Sequence, residues 1–307
     1  MMKKGVFSAI AAYTLWGVFP IYINWLRGVA PFEILTHRIL WAALLLGGVL
    51  TLKRDWSWLK PVLSNRRRLL SFWIAALLIS TNWFTYIWAV NNGHVVDASL
   101  GYFINPLINV LLGVLFLSEK LRSGQWAAML IAGFGVMYLT IHFGSIPWIA
   151  LTLAITFGFY GLLKKISSLD ALHGLSLETA LISLPALGYL VIMESRGQAA
   201  FGQQGATITI LLMFAGVMTA VPLLFYAMGA QSIPLYMMGI LQYITPSFQF
   251  FLGILYFHEP FSPDRLVGYM IIWSALGVYT IESVLHRKTA SRQRAKIPSI
   301  PKVSSGS

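Results

Sequence analysis

Ten runs of about twenty predominantly apolar residues follow one another along this chain, and that is the length at which an α-helix crosses the hydrocarbon core of a bilayer. They lie at 5–24, 34–52, 71–91, 98–117, 124–142, 146–165, 173–194, 207–230, 235–257 and 265–285. In hydrocarbon every backbone N–H and C=O has to be paired within the protein, so each run is expected to be a helix. Composition agrees, because 57% of the 307 residues are hydrophobic and only 10% are charged, against about 25% charged in soluble domains. The expected fold class is an all-α integral membrane protein with ten transmembrane helices. Lys3 and Lys4 before the first run mimic the start of a signal peptide. That run is long and no small-residue cleavage site closes it, so it reads as a retained first helix.

The net charge of +12 would suit a nucleic-acid partner, but the placement of the charges argues otherwise. Eighteen of the 22 Lys and Arg fall at the N-terminus, in the 53–68 loop, after the fourth run, at the end of the sixth and in the tail. Arg27, Arg196 and Arg265 lie on the other side, and Arg38 lies inside the second run. Cytoplasmic loops carry the excess of Lys and Arg, so both termini are expected in the cytoplasm of a cell with an inner, plasma-type membrane. No nucleic acid is needed to explain the charge. Residues 286–307 are basic and without apolar periodicity, and read as a disordered cytoplasmic tail. The chain has no cysteine, which excludes disulfides and thiolate chemistry. It also lacks a Walker loop, HExxH, GxSxG and metal-spaced carboxylates, so no cofactor, metal or enzymatic activity is expected.

An internal duplication organises the chain. Residues 97–119, DASLGYFINPLINVLLGVLFLSE, return 140 positions later as 237–259, MMGILQYITPSFQFFLGILYFHE. Pro106, Gly113 and Glu119 recur as Pro246, Gly253 and Glu259, and the same shift pairs Tyr86 with Tyr226 and Gly48 with Gly188. The expected halves are 1–142 and 143–285. Each holds five runs, an odd number, so the second copy enters the membrane from the opposite side and the repeat is inverted. Paired apolar segments interrupted by Gly and Pro in corresponding halves point to a transporter's binding site. Pro106, Gly113, Pro246 and Gly253 are therefore hinge candidates.

Polar groups inside the runs are few. Glu33, His37 and Arg38 open the second, and Glu178 lies in the seventh. An ionisable group at membrane depth costs about 2.5–3.5 kcal/mol on insertion scales, so it should face a cavity or a partner. The register places Arg38 opposite Glu178, which inverted topology separates to the two mouths of a central cavity. Tyr102, Asn105 and Asn109 mark one face of the fourth run, and Gln242, Thr245 and Gln249 mark the matching face of the ninth. Asn82, Tyr86 and Tyr226 line the same space in this reading. Trp16, Trp83, Trp88, Tyr13 and Tyr160 lie deep, and a cavity lined by them would suit a flat, amphipathic solute. Taken singly, any of these can be polar glue between helices. As a set recurring in both halves they are candidates for a substrate cavity.

The segments LWGVFPIY (15–22), EILTHRILWA (33–42), NWFTYIWAVNNG (82–93), SLGYFINPLINVLLG (99–113), FGFYGLLKK (157–165), TAVPLLFYA (219–227) and GILQYITPSFQFFLG (239–253) resemble the EamA-type transporters of the drug/metabolite transporter superfamily. Within them the chain is similar to the RarD-type permeases, which are named for an association with chloramphenicol sensitivity. The resemblance spans about residues 3–285. It implies two inverted five-helix repeats, a central cavity, alternating access, and movement of small metabolites or drugs, often outward. Small-molecule substrate and lipid are the expected partners, with proton or counter-solute coupling and a monomeric state compatible with the sequence. Two other readings stay open here. One is a membrane-embedded enzyme using Glu33, His37 and Glu178, and the other a non-transporting sensor or assembly partner.

Overall fold

The structure, a computed structural model, describes residues 2–118, 122–143, 146–166, 169–232, 241–259 and 263–295. Among these every regular element is helical. In chain order they are α1 (Met2–Trp25), α2 (Pro31–Lys53), the short α3 (Leu59–Leu63), α4 (Arg66–Asn91), α5 (Val95–Leu117), α6 (Ser123–Phe143), α7 (Trp148–Ile166), α8 (Ala171–Ser195), α9 (Ala206–Ser232), α10 (Ile244–Phe251) and α11 (Pro263–Ala295). A π-helical turn, Leu252–Tyr256, prolongs α10. Six helices among the described residues are long and apolar enough to cross a membrane, and three shorter apolar helices accompany them. The last helix runs past 285, where the tail was expected to begin, to Ala295; residues 296–307 lie outside the described ones.

Local chemistry sets the ends. Pro31 opens α2 at the position where its missing N–H would have no helical partner. The Asn65 side chain accepts the Arg68 N–H at 3.1 Å to cap α4, and Asp170 accepts the His173 N–H at 3.0 Å to cap α8. α3 falls within the loop expected between the second and third runs, and it is no membrane span. Trp58 beside it tucks its ring against His173 at 4.9 Å and its indole N–H onto Asp55 O at 2.9 Å.

The principal helix pairings join the first part of the chain to the second. α1 packs on α9 and α10, α2 on α8 and α9, α4 on α7, α5 on α7 and α10, and α6 on α11. Small residues make these approaches possible, as is usual where lipid gives helices no hydrophobic reason to associate. A Cβ on Gly216 of α9 would lie 2.7 Å from the Trp41 carbonyl oxygen, and one on Gly101 of α5 would lie 2.8 Å from the Ala150 oxygen. The buried seam carries Ile23, Leu26, Ile34, Leu46, Ile87, Leu153 and Leu212. Leu44, Leu52, Leu77, Leu130, Leu184 and Ile210 face outward, an apolar surface of the kind lipid covers.

Gly216 therefore meets rigid backbone, whereas Gly188 of α8 has open space around its Cβ direction. Gly216→Ala is expected to lower thermal stability in detergent by about 1–3 kcal/mol through overpacking. Gly188→Ala should leave it unchanged or raise it slightly. Thermal unfolding of the two purified variants side by side checks the pair.

Candidate functional site

Arg38 sits two turns into α2 and is 5% exposed. Its Nε donates to Thr219 Oγ1 of α9 at 2.7 Å. The Thr219 hydroxyl spends its own hydrogen on Ala215 O at 2.9 Å, which leaves the oxygen free to accept. The guanidinium carbon lies 4.3 Å from the Trp83 ring and 4.8 Å from the Phe19 ring, within cation–π range of both. Glu33, five residues earlier, is off the i,i+4 geometry and makes no ion pair with it. Glu33 Oε1 instead accepts the backbone N–H groups of Ala200 (2.7 Å) and Phe201 (3.3 Å), pinning the segment that leads into α9. His37 stacks on Phe201 at 4.9 Å and accepts the Trp41 indole N–H at 3.3 Å, and its Nε2 is 4.0 Å from Glu33.

A polar net occupies the middle. Pro20 inside α1 has no N–H to give the Trp16 carbonyl, which is therefore left without its helical donor. Gln249 of α10 supplies one, with Nε2 at 3.1 Å from Trp16 O, and the same nitrogen donates to Tyr86 OH of α4 at 3.1 Å. Since a carbonyl can only accept, this contact fixes the orientation of the amide, and Gln249 Oε1 is left buried without a partner. Asn82 of α4 is 1% exposed and donates to Leu153 O (2.9 Å) and Thr156 Oγ1 (3.0 Å) of α7. The Tyr102 hydroxyl of α5 reaches Asn82 Oδ1 at 3.4 Å.

Glu178 of α8 is completely buried. It accepts the Tyr160 hydroxyl at 2.9 Å and forms an ion pair with Lys164 at 2.8 Å, both on α7. Arg38 and Glu178 thus have separate partners. Between them runs a file of rings: Phe19 to Tyr86 at 6.0 Å, Tyr86 to Tyr102 at 5.9 Å, Tyr102 to Phe157 at 6.3 Å and Phe157 to Tyr160 at 6.0 Å. One end touches the guanidinium and the other the Glu178–Lys164 pair.

The remaining candidates divide. Thr245 donates to Tyr13 O at 2.8 Å and Asn105 to Ala154 O at 3.3 Å, so both act between helices. Tyr226 and Trp16 meet ring to ring at 5.8 Å in a side cluster with Tyr13. Gln242 is half-buried just ahead of α10. Pro246 is buried in the first turn of α10, and Gly253 lies in the π-helical turn, where a Cβ would meet Val96 at 2.5 Å. Gly113 is buried in α5; the side chains of Pro106 and Asn109 lie outside the described residues.

Two carboxylates tie helix ends. Glu259 accepts the Val95 and Val96 N–H groups at the start of α5. Burial raises its pKa, against the lowering effect of those N–H groups. Asp170 and Asp55 hold the two ring nitrogens of His173 at 2.7 and 3.0 Å. Desolvation raises Asp170, but the His173 N–H and ring outweigh it and bring the carboxyl below its ordinary value.

Thr219, Thr156 and Lys164 were not anticipated as parts of this site. Lys164 was counted only as a topology-setting charge, although its spacing of four from Tyr160 places both on one helical face. Thr219 belongs to the TAVPLLFYA segment but has no polar neighbours in sequence to mark it.

Known proteins resemble this chain closely. The EamA-like transporter family matches residues 3–141. Protein RarD of Streptomyces exfoliatus is 43% identical over 295 residues, covering 96% of this chain and 93% of that protein. The uncharacterized transporter YojE of Bacillus subtilis is 45% identical over 291 residues, covering 94% and 97%. Protein RarD of Escherichia coli is 37% identical over 290 residues, covering 94% and 98%. A solved crystal structure shares the fold with a TM-score of 0.58 at 16% identity, covering 92% of this chain and 98% of its own.

The Glu178–Lys164 pair gives a direct test of coupling. Glu178→Leu strands the lysine and should cost about 1–3 kcal/mol of stability, less than a fully buried pair because Lys164 is part-exposed. Adding Lys164→Met should recover most of the loss. A double-mutant cycle on thermal unfolding measures this, and strictly additive losses would show the pair to be uncoupled.

Proposed function

This chain belongs to the EamA-like transporter family, beside the RarD proteins, and we propose that it is a secondary transporter working by alternating access. In this reading ten spans form two inverted five-helix repeats in the inner membrane, with both termini cytoplasmic. The transported solute is a small organic molecule and the direction is outward. Proton or counter-solute coupling completes the cycle, and a monomer suffices. The solute site is the file of polar and aromatic groups from Arg38 through Asn82, Tyr86, Tyr102 and Gln249 to Tyr160 and Glu178.

The observation that carries this reading is that the contacts of one half recur in the other, in register. Thr245 donates to Tyr13 O; 140 residues before Thr245 and 141 after Tyr13, Asn105 donates to Ala154 O. A Cβ on Gly17 would meet Phe248 at 2.7 Å, and one on Gly158 would meet Ile108 at 2.6 Å, again under the same two shifts. Helix pairings follow suit: α1 on α9 corresponds to α7 on α4, and α1 on α10 to α7 on α5. Such matched contacts support an inverted repeat whose halves exchange roles during transport. The enzyme alternative needs an acid and a base within reach of one bond. Glu33 is instead engaged by loop N–H groups ahead of α9, and Glu178 by Tyr160 and Lys164 of α7.

Cysteines placed singly at Asn65, Gly93, Gly202 and Ser291 of this cysteine-free chain test the topology. An impermeant maleimide applied to intact cells should label positions 93 and 202 and leave 65 and 291 untouched; the reverse pattern would overturn the assignment. Tyr86→Phe removes one hydroxyl and no packing volume. In proteoliposomes presented with a library of organic solutes it should slow uptake roughly 3–10-fold at unchanged yield, the value of one hydrogen bond. Unchanged uptake would remove Tyr86 from the solute path.

A further inference from the structure

We infer that the solute is a planar aromatic carboxylate and that Arg38 is its receptor. This assignment rests on the transporter reading above and adds the chemistry of the cargo. The observation behind it is a buried charge without a counter-charge. A guanidinium keeps its proton at any usable pH. Among the described residues no carboxylate lies within salt-bridge distance of Arg38, and its one hydrogen bond is from Nε to Thr219. Both buried acids are already engaged: Glu33 holds the Ala200 and Phe201 N–H groups, and Glu178 holds Tyr160 and Lys164. Thr219 anchors the Nε corner of the fork, and the two Nη groups have no hydrogen-bond or salt-bridge partner among the described residues; they form the edge that matches two carboxylate oxygens. A bound anion compensates the desolvation that this cation suffers, and a neutral or cationic solute does not.

The walls select the rest of the molecule. Phe19 and Trp83 flank the guanidinium, and Tyr86 stacks on Phe19 with its plane 28° away. Tyr102 continues the wall. These faces favour a flat ring attached to the carboxylate over an extended aliphatic acid. The file of rings leads on to Tyr160, where the second cation, Lys164, waits. Lys164 is already neutralised by Glu178 and is part-exposed, so it holds an arriving anion more weakly than Arg38 does. An aromatic acid therefore meets positive charge at both ends of the path, strongly at one and weakly at the other.

The test uses the purified full-length protein in detergent. Benzoate and 2-naphthoate are compared with benzamide, 2-naphthamide and acetate, by ligand-dependent thermal stabilisation and calorimetric titration. The aromatic acids should bind at least about tenfold more tightly than the matched amides, the worth of one charge-assisted pair, and more tightly than acetate, which brings the charge without the ring. Arg38→Gln should abolish the preference for acid over amide, and Arg38→Lys should keep part of it. Thr219→Val, which frees the fork but leaves the charge, should weaken acid binding several-fold and leave amide binding unchanged. It serves as the second variant if Arg38→Gln does not fold. Equal binding of acid and amide, equal binding of benzoate and acetate, or an acid preference that survives Arg38→Gln would overturn the assignment. Vesicle uptake separates it from the transporter reading. Carriage of amides without acid preference keeps the transporter and removes the anion site. Acid preference in detergent with no uptake of any solute keeps the anion site and removes the transporter.

Discussion

A buried carbonyl that has lost its helical donor must find another, because lipid offers none. Trp16 O is such a carbonyl, left open by Pro20, and Gln249 closes it from another helix. That one contact ties α1 to α10, and the same amide nitrogen ties both to Tyr86 on α4. Asn105, Thr245 and Asn82 do the same work at other helix crossings, each donating to a main-chain oxygen of a different helix. The bundle is thus held at its centre by side-chain amides and hydroxyls, with glycines such as Gly17, Gly158 and Gly216 letting the backbones come close enough for these bonds to form. A centre built in this way is polar by necessity.

The charges are arranged with equal economy. Glu178 and Lys164 neutralise each other within the bundle, while Glu33 is held by hydrogen bonds from backbone N–H groups at a loop. Among the described residues Arg38 is a buried cation with no carboxylate beside it, and it leans on a hydroxyl and two ring faces. The strong ties between helix ends lie away from the centre. The bidentate Arg122–Glu282 pair joins α6 to α11, Glu259 closes the start of α5, and His173 bridges Asp55 and Asp170. Such end contacts can break and re-form without unpacking the middle.

Much of this was legible in the sequence, for identifiable reasons. Run length and the hydrocarbon constraint give the helices, because a membrane leaves the backbone few choices. The 140-residue register was readable because Pro, Gly, Glu and Tyr are costly to match by chance, and it reappears as paired hydrogen bonds at Asn105 and Thr245. Separation of Arg38 from Glu178 followed from the same register. Partners were harder to read. Thr219 lies 181 residues from Arg38 and carries no local signal, and Lys164 looked like one more charge at a helix end. Glu33 was expected to face a cavity or a partner. It serves Ala200 and Phe201, since one oxygen can reach two amide donors of a loop that only the tertiary fold brings near. The short α3 and the seating of Trp58 against His173 likewise depend on a neighbour remote in sequence.

In the proposed transport cycle the buried net around Asn82 opens alternately to the two sides of the membrane. Thr156 accepts from Asn82 at 3.0 Å and is close in size to cysteine, so Thr156→Cys places a single thiol in the middle of the path of a chain that has no other. The measurement is alkylation of that thiol by a small impermeant reagent, applied to right-side-out and to inside-out vesicles in turn. Alternating access predicts modification from both faces, with bound solute slowing both rates. Modification from one face only, or from neither, in folded protein would contradict it.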